Sequence, residues 1–504
     1  MRIAILFLLA ATLLAAAAFR RGAEYDEAYS LFVTAGTPRP TWPAGTFPAA
    51  RLRAVLAPSA GPARIAAELR ATDVHPPLYF WALGAWRSLA GHGLLAARML
   101  SVLAALGALG LVGAIAVEAG IPPLPAMAFT LGCYGFVYTG AIARNFALAE
   151  AFALAGVWCA LRRGSGPTRR LAAGLLLGAA SFTNYLAAFT GAAVVVGLAV
   201  AAFRPGPGRA RAGWRAVACL AGMAVWLPAG LWFLAAQRDS RVGQFPPFRL
   251  GASLVLLGRD AAGAVFGGLP LYVAGAARLT VGGAIAALLA GLVALIAWRW
   301  RRIGRAPARA LLGLGAAAPV AGLLALGLAF DSTPIELRYL AFATPFLGLL
   351  LAGALATLPR RPARAIGAVV LSVQALALAG LLTRAETMQP AREAAAAAAR
   401  LAGPGGVVLV PRGNDGVGVV GPFLIEAPGG LRVRLVTPRT DPARLRAALI
   451  GAPRVVLALI GVDRASRASL PVLRAAVLGW AVAGRGFDAV AVIPPARPVP
   501  PHSG

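Results

Sequence analysis

Long apolar runs separated by short arginine-rich segments dominate the chain from residue 3 to about residue 383. A membrane-spanning helix needs roughly 17–25 apolar residues, and most of the runs reach that length. The first, Ile3–Ala18, follows a lone Arg2 and ends at Phe19-Arg20-Arg21. No convincing cleavage site follows it, so it is expected as an uncleaved first span rather than a signal peptide. Four later segments are arginine-rich: Arg162–Arg170 (RRGSGPTRR), Arg204–Arg215 (RPGPGRARAGWR), Arg299–Arg309 (RWRRIGRAPAR) and Arg360–Arg364 (RRPAR). Short cytoplasmic loops carry the arginine excess. All four are therefore placed inside, and each interval between them holds an even number of crossings.

The interval 171–203 has room for two short crossings, with Thr183-Asn184-Tyr185 at the outer apex. The interval 216–298 holds two spans, about 216–236 and 279–298, and 310–359 holds two more joined by Asp331–Tyr339 (DSTPIELRY). A last span, about 365–383, leads outward. Four apolar segments lie between 76 and 161, where parity allows only an odd number of crossings. The weakest is Pro76–Ala90 (PPLYFWALGAWRSLA), which is expected to be interfacial or re-entrant, covered by other helices. The total is about eleven spans, with the N-terminus inside and the C-terminus outside.

From about Ala385 the pattern changes to short apolar runs with more proline and arginine. Ala391–Ala402 reads as a helix, and Gly406–Val410, Leu431–Val436, Val455–Ile460 and Ala489–Ile493 read as buried strands. Asp441–Ile450 and Ala465–Ala481 read as helices between them. Strands alternating with helices indicate a small α/β domain. The expected fold is an all-α polytopic transmembrane bundle, residues 1–384, with a long first outer loop at 20–75. A small α/β domain, residues 385–504, lies outside the membrane. No internal repeat is evident.

Composition sharpens this picture. The 504 residues are 59% hydrophobic and 13% charged, against about 45–50% and 25% in soluble domains. A soluble, disordered or collagen-like chain is excluded. The formal net charge is +30, and every one of the 48 basic residues is arginine. Their clustering between apolar runs marks topology determinants, not a nucleic-acid surface. Cys133, Cys159 and Cys219 all lie in apolar stretches with no CxxC or Cys/His spacing, so neither disulfides nor a zinc site is expected.

Parity gathers the chemically interesting residues on the outer face. Asp26 and Glu27 stand where the first span ends. His75 precedes Pro76-Pro77 at the end of the long loop. Arg144-Asn145 caps one span, Glu336-Leu337-Arg338-Tyr339 opens another, and Asn184 and Tyr185 sit at a third apex. Each has a plain alternative. Paired acids at a span end are commonly just solvated, His75 fits a turn, and Arg144 fits a headgroup anchor. Arg338 and Glu336 fit a surface pair, and the aromatics of 79–86 fit an interfacial belt. Their co-location favours chemistry, with carboxylates for a base and cations for a phosphate.

The order of these segments resembles the bacterial relatives of the protein O-mannosyltransferase and aminoarabinose transferase families, integral membrane glycosyltransferases of the C type. The matching pieces are DEAYSLFVTAG (Asp26–Gly36), DVHPPLYFWALGAWRSLAG (Asp73–Gly91), ARML (Ala97–Leu100), ARNFALAEAFAL (Ala143–Leu154), SFTNYLA (Ser181–Ala187) and ELRYLAFATPFLGLLLAG (Glu336–Gly353). The resemblance spans about residues 1–360; the C-terminal domain carries no matching motif. It implies a GT-C-like fold in the bacterial cytoplasmic membrane, moving a sugar from a polyprenyl-phosphate carrier to a lipid or protein acceptor at the outer face. It also implies Asp26 as catalytic base and Glu27 as supporting carboxylate. Relatives in the aminoarabinose group place a lysine just before the P-P-L segment, where this chain has His75. That departure shifts the phosphate contact to Arg144, Arg338 and His75, with Tyr339 donating to the phosphate or stacking on the sugar. Some relatives carry a second acid just after the outer arginine; here Asn145 and Phe146 follow.

No cofactor is implied. The paired acids leave a divalent cation open, but no third ligand is evident and no metal ligand is assigned. A transporter or flippase of a lipid-linked precursor is the alternative function. It predicts charges near the bilayer midplane and internal repeats. A membrane scaffold is a third class, which leaves the long acidic loop unexplained.

Overall fold

A computed structural model describes residues 1–162, 166–203, 209–237, 245–268, 275–384 and 390–495. Parts of two arginine-rich loops, residues 163–165 and 204–208, and the expected domain boundary at 385 fall outside the described residues. The chain divides into two compact units. The first comprises Met1–Arg20, Ala66–Leu83 and Arg98–Thr387, and the second Arg21–Ile65, Gly84–Ala97 and Met388–Gly504.

The first unit is helical. Seven described helices are long and apolar enough to cross a membrane: Arg2–Arg20, Leu94–Ala119, Tyr185–Phe203, Gly275–Arg302, Ala306–Phe330, Leu337–Ala356 and Arg360–Thr383. Two bent pairs qualify when each is taken as one span. Tyr134–Ala141 and Phe146–Leu161 meet at 118°, and Gly213–Ala224 and Leu227–Gln237 meet at 51°. The described residues thus supply seven to nine such spans, and the protein is a multi-pass membrane protein. The sequence reading of about eleven also counts Pro167–Ser181, which is only 15 residues long. At 1.5 Å per residue it reaches about 22 Å, short of a hydrocarbon core of about 30 Å. Another break falls at Cys133, where Pro123–Gly132 ends and Tyr134–Ala141 begins. The segment expected to be interfacial or re-entrant forms a 13-residue helix, Leu78–Ala90, too short to span.

Small residues set the closest approach in this bundle. Helix Pro167–Ser181 packs against Arg209–Ala224 through Gly174 and Gly222. A Cβ on Gly174 would overlap the Cys219 carbonyl, and one on Gly222 would overlap that of Leu171. Membrane helices associate through such small-residue contacts because lipid offers no hydrophobic drive between them.

The second unit is built on a six-stranded sheet of order β1-β3-β2-β4-β6-β5. Its strands are β1 (Phe47–Pro48), β2 (Val407–Pro411), β3 (Arg432–Val436), β4 (Val455–Ala458), β5 (Ala481–Gly486) and β6 (Ala489–Ile493). β2 runs parallel to both β3 and β4, while β6 is antiparallel to β4 and to β5. β2 and β4 are buried along their whole length, as central parallel strands are. The helices Pro442–Leu449 and Arg464–Ala476 cover the sheet, contributing Leu445, Leu449 and Leu473 to a core with Val407, Leu409, Val455 and Val492. Four strands and both crossover helices fall where the sequence places them, within a few residues. β5 was not anticipated because AVAGRG is mostly exposed and shows no alternation. Its hairpin with β6 turns at Phe487-Asp488, with Asp488 at φ 47°, a conformation that Asp tolerates better than most residues.

Replacing Gly174 by valine should force Pro167–Ser181 and Arg209–Ala224 apart. The expected loss is about 1–3 kcal/mol, typical of overpacking. It is read as a lower thermal midpoint of the detergent-purified protein, with Gly166→Val, where a Cβ meets nothing within 4 Å, as the neutral control.

Candidate active site

In the first unit, side chains at the helix ends and turns of His75, Asn145, Asn184 and Gln237 come together. Helix Phe146–Leu161 starts there and runs to the Arg162 loop, and Pro167–Ser181 returns to Thr183. Asn145 donates from Nδ2 to the Thr183 carbonyl at 2.9 Å, and Asn184 Nδ2 donates to Asn145 Oδ1 at 3.2 Å. Asn184 also caps the short helix Tyr185–Ala187 by accepting from Leu186 N. His75 joins them from the turn before Pro76: Arg144 Nη2 lies 2.7 Å from His75 Nε2, and Asn145 Nδ2 lies 3.3 Å from Nδ1. A guanidinium can only donate, so Nε2 accepts from Arg144 and a neutral ring carries its proton on Nδ1, which makes the approach of Asn145 Nδ2 a close contact and not a hydrogen bond. Gln237 closes the cluster. Its Nε2 donates to the carbonyls of Leu69 and His75, and its Oε1 accepts from the Tyr185 hydroxyl at 3.0 Å. His75, Arg144, Asn145, Asn184 and Gln237 are all buried.

Arg338 and Tyr339 lie in the 3-10 helix Leu337–Ala343. Tyr339 stacks on Phe146, centroids 6.2 Å apart, so this element sits directly beside the Arg144-Asn145 break. Arg338 Nε lies 2.6 Å from Glu336 Oε2, with the two side chains 19% and 34% exposed. The local pair considered from sequence is therefore formed, and it leaves the guanidinium at an accessible edge. Of the expected residues, the structure brings together His75, Arg144, Asn145, Asn184 and Tyr185 by hydrogen bonds, and Tyr339 by ring contact.

Asp26 and Glu27 belong to the second unit, in the first turn of helix Tyr25–Thr34. Glu27 is fully buried, and its Oε2 accepts from the backbone N of Glu24 at 3.0 Å. This is one half of a capping box, so that carboxylate serves the helix start. Asp26 is half-buried in the same turn. The other end of the helix is capped by Arg87, which donates to the Leu31 carbonyl at 3.1 Å, Thr34 Oγ1 at 2.6 Å and the Leu56 carbonyl at 2.8 Å.

Sequence reasoning missed Gln237, Thr183 and Arg87. Gln237 carries no motif, Thr183 lies in the matching piece SFTNYLA without a role of its own, and Arg87 was read only as part of the interfacial or re-entrant segment 76–90. Among the described residues, no three His, Cys, Asp or Glu side chains are grouped to hold a metal ion.

The first unit also contains a cavity of about 1130 Å³. Its walls are almost entirely apolar. Arg162, Arg170 and Arg215 line one end, and Leu340, Ala343 and Thr344, directly after Tyr339, line the other. It follows helix Ala306–Phe330 from Pro307 to Val320, a length of about 20 Å. Such a space accepts a long hydrocarbon chain, and one of its ends lies against the element that carries Arg338.

No family model matches the sequence, and no curated protein matches it. In three dimensions the chain is similar to ArnT from Cupriavidus metallidurans, solved in the apo state and bound to undecaprenyl phosphate. The apo structure matches with a TM-score of 0.53 at 15% identity, over 98% of each chain. The undecaprenyl-phosphate complex matches with a TM-score of 0.52 at the same identity and coverage. A partial likeness to the S. cerevisiae protein O-mannosyltransferase Pmt1-Pmt2 complex bound to the sugar donor covers 48% of this chain and 34% of that one, at 14% identity and a TM-score of 0.34. The fold anticipated from the sequence motifs is thus the fold observed: along nearly its whole length the chain is built like ArnT, an aminoarabinose transferase, with a helical membrane bundle and a small C-terminal sheet.

Proposed function

We propose that the protein is a glycosyltransferase that moves a sugar from a polyprenyl-phosphate carrier to an acceptor at the outer face of the bacterial cytoplasmic membrane. The observation that carries this reading is the apolar cavity ending against the Arg338–Tyr339 element, beside the His75–Arg144 cluster. A polyprenyl phosphate is a long apolar chain ending in an anion, and that combination matches it. The shared fold with ArnT, one structure of which holds undecaprenyl phosphate, supports the same reading.

The roles follow from the chemistry. An acceptor hydroxyl or amine attacks the anomeric carbon as its bond to the carrier phosphate oxygen breaks, which inverts that centre. Asp26 takes the acceptor's proton, a task that requires a positioned base. The electron pair leaves with the polyprenyl phosphate, whose growing charge needs fixed cations. Arg338 supplies the guanidinium fork that matches phosphate oxygens, exchanging Glu336 for the phosphate when the donor binds. Arg144, held by His75, is the second cation, and Tyr339 lends a hydroxyl or a stacking face to the sugar. Asn184, Tyr185 and Glu336 shape the polar wall. The flippase alternative predicts midplane charges and internal repeats; the expected polar residues gather instead where helices break.

Three measurements test this. Asp26→Asn should leave protein levels unchanged and lower transfer by about 10² to 10⁴. Glu27→Gln, which preserves the capping box, should cost far less. Near-wild-type turnover by Asp26→Asn would remove it as the base.

Arg338→Ala should weaken transfer by about 1.5–3 kcal/mol, the scale of a hydrogen bond to a charged group. Arg338→Lys should restore it only in part, because the planar fork is lost. The assay uses purified protein in nanodiscs with radiolabelled sugar supplied as polyprenyl phosphate or as nucleotide sugar. Transfer from the nucleotide sugar alone, without lipid carrier, would sink the donor assignment.

Orientation is tested by reporter fusions. Gly304 and Pro362 should read cytoplasmic, and Pro48, Ser332 and Gly430 external. An external signal at Gly304 would reverse the arginine-based placement.

A further inference from the structure

The C-terminal sheet domain has no role in the reading above, and its most recognisable feature is already filled. In open parallel sheets, ligands bind beyond the carboxyl ends of adjacent strands whose connections leave to opposite sides. Here those strands are β2, which leads to β3 on one side, and β4, which leads toward β5 and β6 on the other. Their following loops place Asn414 and Asp415 after β2 and Asp463 after β4. The side chains that enter this place are Tyr25 and Tyr29, from the same helical turn as Asp26 and on either side of it in the chain.

The contacts are specific. Tyr29 donates its hydroxyl to Asp415 Oδ2, while Asp415 Oδ1 accepts from Val417 N at 2.9 Å. Tyr25 donates to Asp463 Oδ2 at 3.4 Å; the same oxygen accepts from Asn414 N at 2.9 Å, and Oδ1 accepts from Ser466 N at 2.7 Å. The two phenols are themselves 3.2 Å apart. Each carboxylate thus has one oxygen tied to its own loop and one holding a tyrosine. Two glycines of the next segment let the helix come this close. A Cβ on Gly418 would overlap the Tyr25 ring, and one on Gly421 would lie 2.7 Å from Ala28 Cβ. Burial, reinforced at Tyr29 by Asp415, pushes both phenols far above their ordinary range, so they remain donors at any physiological pH.

We propose that Asp415 and Asp463 are positioning residues for Asp26, holding Tyr29 and Tyr25 so that the sheet domain sets the orientation of the turn that carries the base. This rests on Asp26 being the base. The sheet domain is then a mount whose ligand place is taken by the chain's own helix, and it has no separate small-molecule ligand at that place.

The test uses the full-length protein carrying Tyr25→Phe and Tyr29→Phe together, which keeps both rings and removes only the hydroxyls. Hydrogen exchange of the amides of Tyr25–Thr34 should speed up while that of β2 and β4 stays as in wild type. With radiolabelled polyprenyl-phosphate sugar as donor, kcat should fall about tenfold, since small misplacements of a reacting group are costly, while the donor KM and the melting temperature hold. Asp415→Asn with Asp463→Asn should reproduce the pattern. Unchanged exchange in the helix overturns the proposal, whatever the activity. A melting temperature that falls in step with kcat overturns it as well, because the contacts are then merely structural. Asp26→Asn, run in parallel, separates the two ideas. If it abolishes transfer while the double Phe variant turns over normally, only the positioning role fails. If Asp26→Asn turns over normally, the base assignment fails and the positioning role falls with it.

Discussion

Backbone groups freed inside an apolar bundle must find partners within the protein, because lipid offers none. This constraint decides where the first unit can interrupt its helices. At the Arg144-Asn145 break, Asn145 takes the Thr183 carbonyl, Gln237 takes those of Leu69 and His75, and Asn184 caps Leu186. At the Cys133 break, Gln374 donates to the Phe129 carbonyl from a neighbouring helix. The polar side chains stand where the helices stop, since each stop exposes carbonyls and amides that only a side chain can satisfy. A cluster built for that reason also provides fixed dipoles and cations in a dry place, which is what a phosphate leaving group needs. Structural necessity and the candidate chemistry therefore share the same residues.

The second unit solves a different problem, that of holding a short helix still. Isolated helices of fewer than about 12 residues are marginal in water, and Tyr25–Thr34 has 10 residues. It is secured at its start by the capping box and by Glu426, which accepts from Ala23 N at 2.8 Å while paired with Arg392. It is secured along one face by Tyr25, Ala28, Tyr29 and Phe32 against the loops after β2 and β4. At its end Arg87 donates to the Leu31 carbonyl and to Thr34 Oγ1. Burying Glu27 in this arrangement ties one of two adjacent acids to the helix start, while Asp26 beside it stays half-buried.

Much of this was legible in the sequence because it rests on local pattern. The apolar runs, the helix end at Arg144-Asn145, the strands of the sheet domain and the acids at the end of the first span all announce themselves by spacing or by motif. Features that depend on distant partners were not legible. Gln237 lies 162 residues from His75, and nothing in LPAGLWFLAAQ marks its last residue as a partner for a carbonyl. Asp415 and Asp463 look like ordinary loop acids until the sheet brings β2 and β4 side by side and a helix from residue 25 reaches both. The span count was blurred for a related reason: hydropathy records composition, while breaks such as Cys133 and lengths such as that of Pro167–Ser181 come from packing.

Arginine usage is where the structure changes the sequence argument most. Along the chain the arginines read as topology determinants, and exposed ones such as Arg301, Arg302 and Arg360 fit that reading. The buried ones do something else. Arg98 donates to the Ala18 carbonyl at 2.7 Å, at the end of helix Arg2–Arg20. Arg170 donates to the Ala160 carbonyl at the end of Phe146–Leu161, and Arg87 reaches the Leu31 carbonyl and Thr34 Oγ1 in the last turn of Tyr25–Thr34 and the Leu56 carbonyl at the end of helix Arg51–Leu56. In each case a cation meets the negative end of a helix and donates to a carbonyl of its last turn. A planar fork with five donors can serve several acceptors at once, as Arg87 does, whereas an ammonium is a more strongly hydrated point charge that costs more to bury. Arg170 belongs to one of the four loops used to infer topology, yet it points into the protein. A chain without lysine can therefore carry an inflated positive-inside signal, because some of its arginines are helix caps that the same residue type makes indistinguishable in sequence.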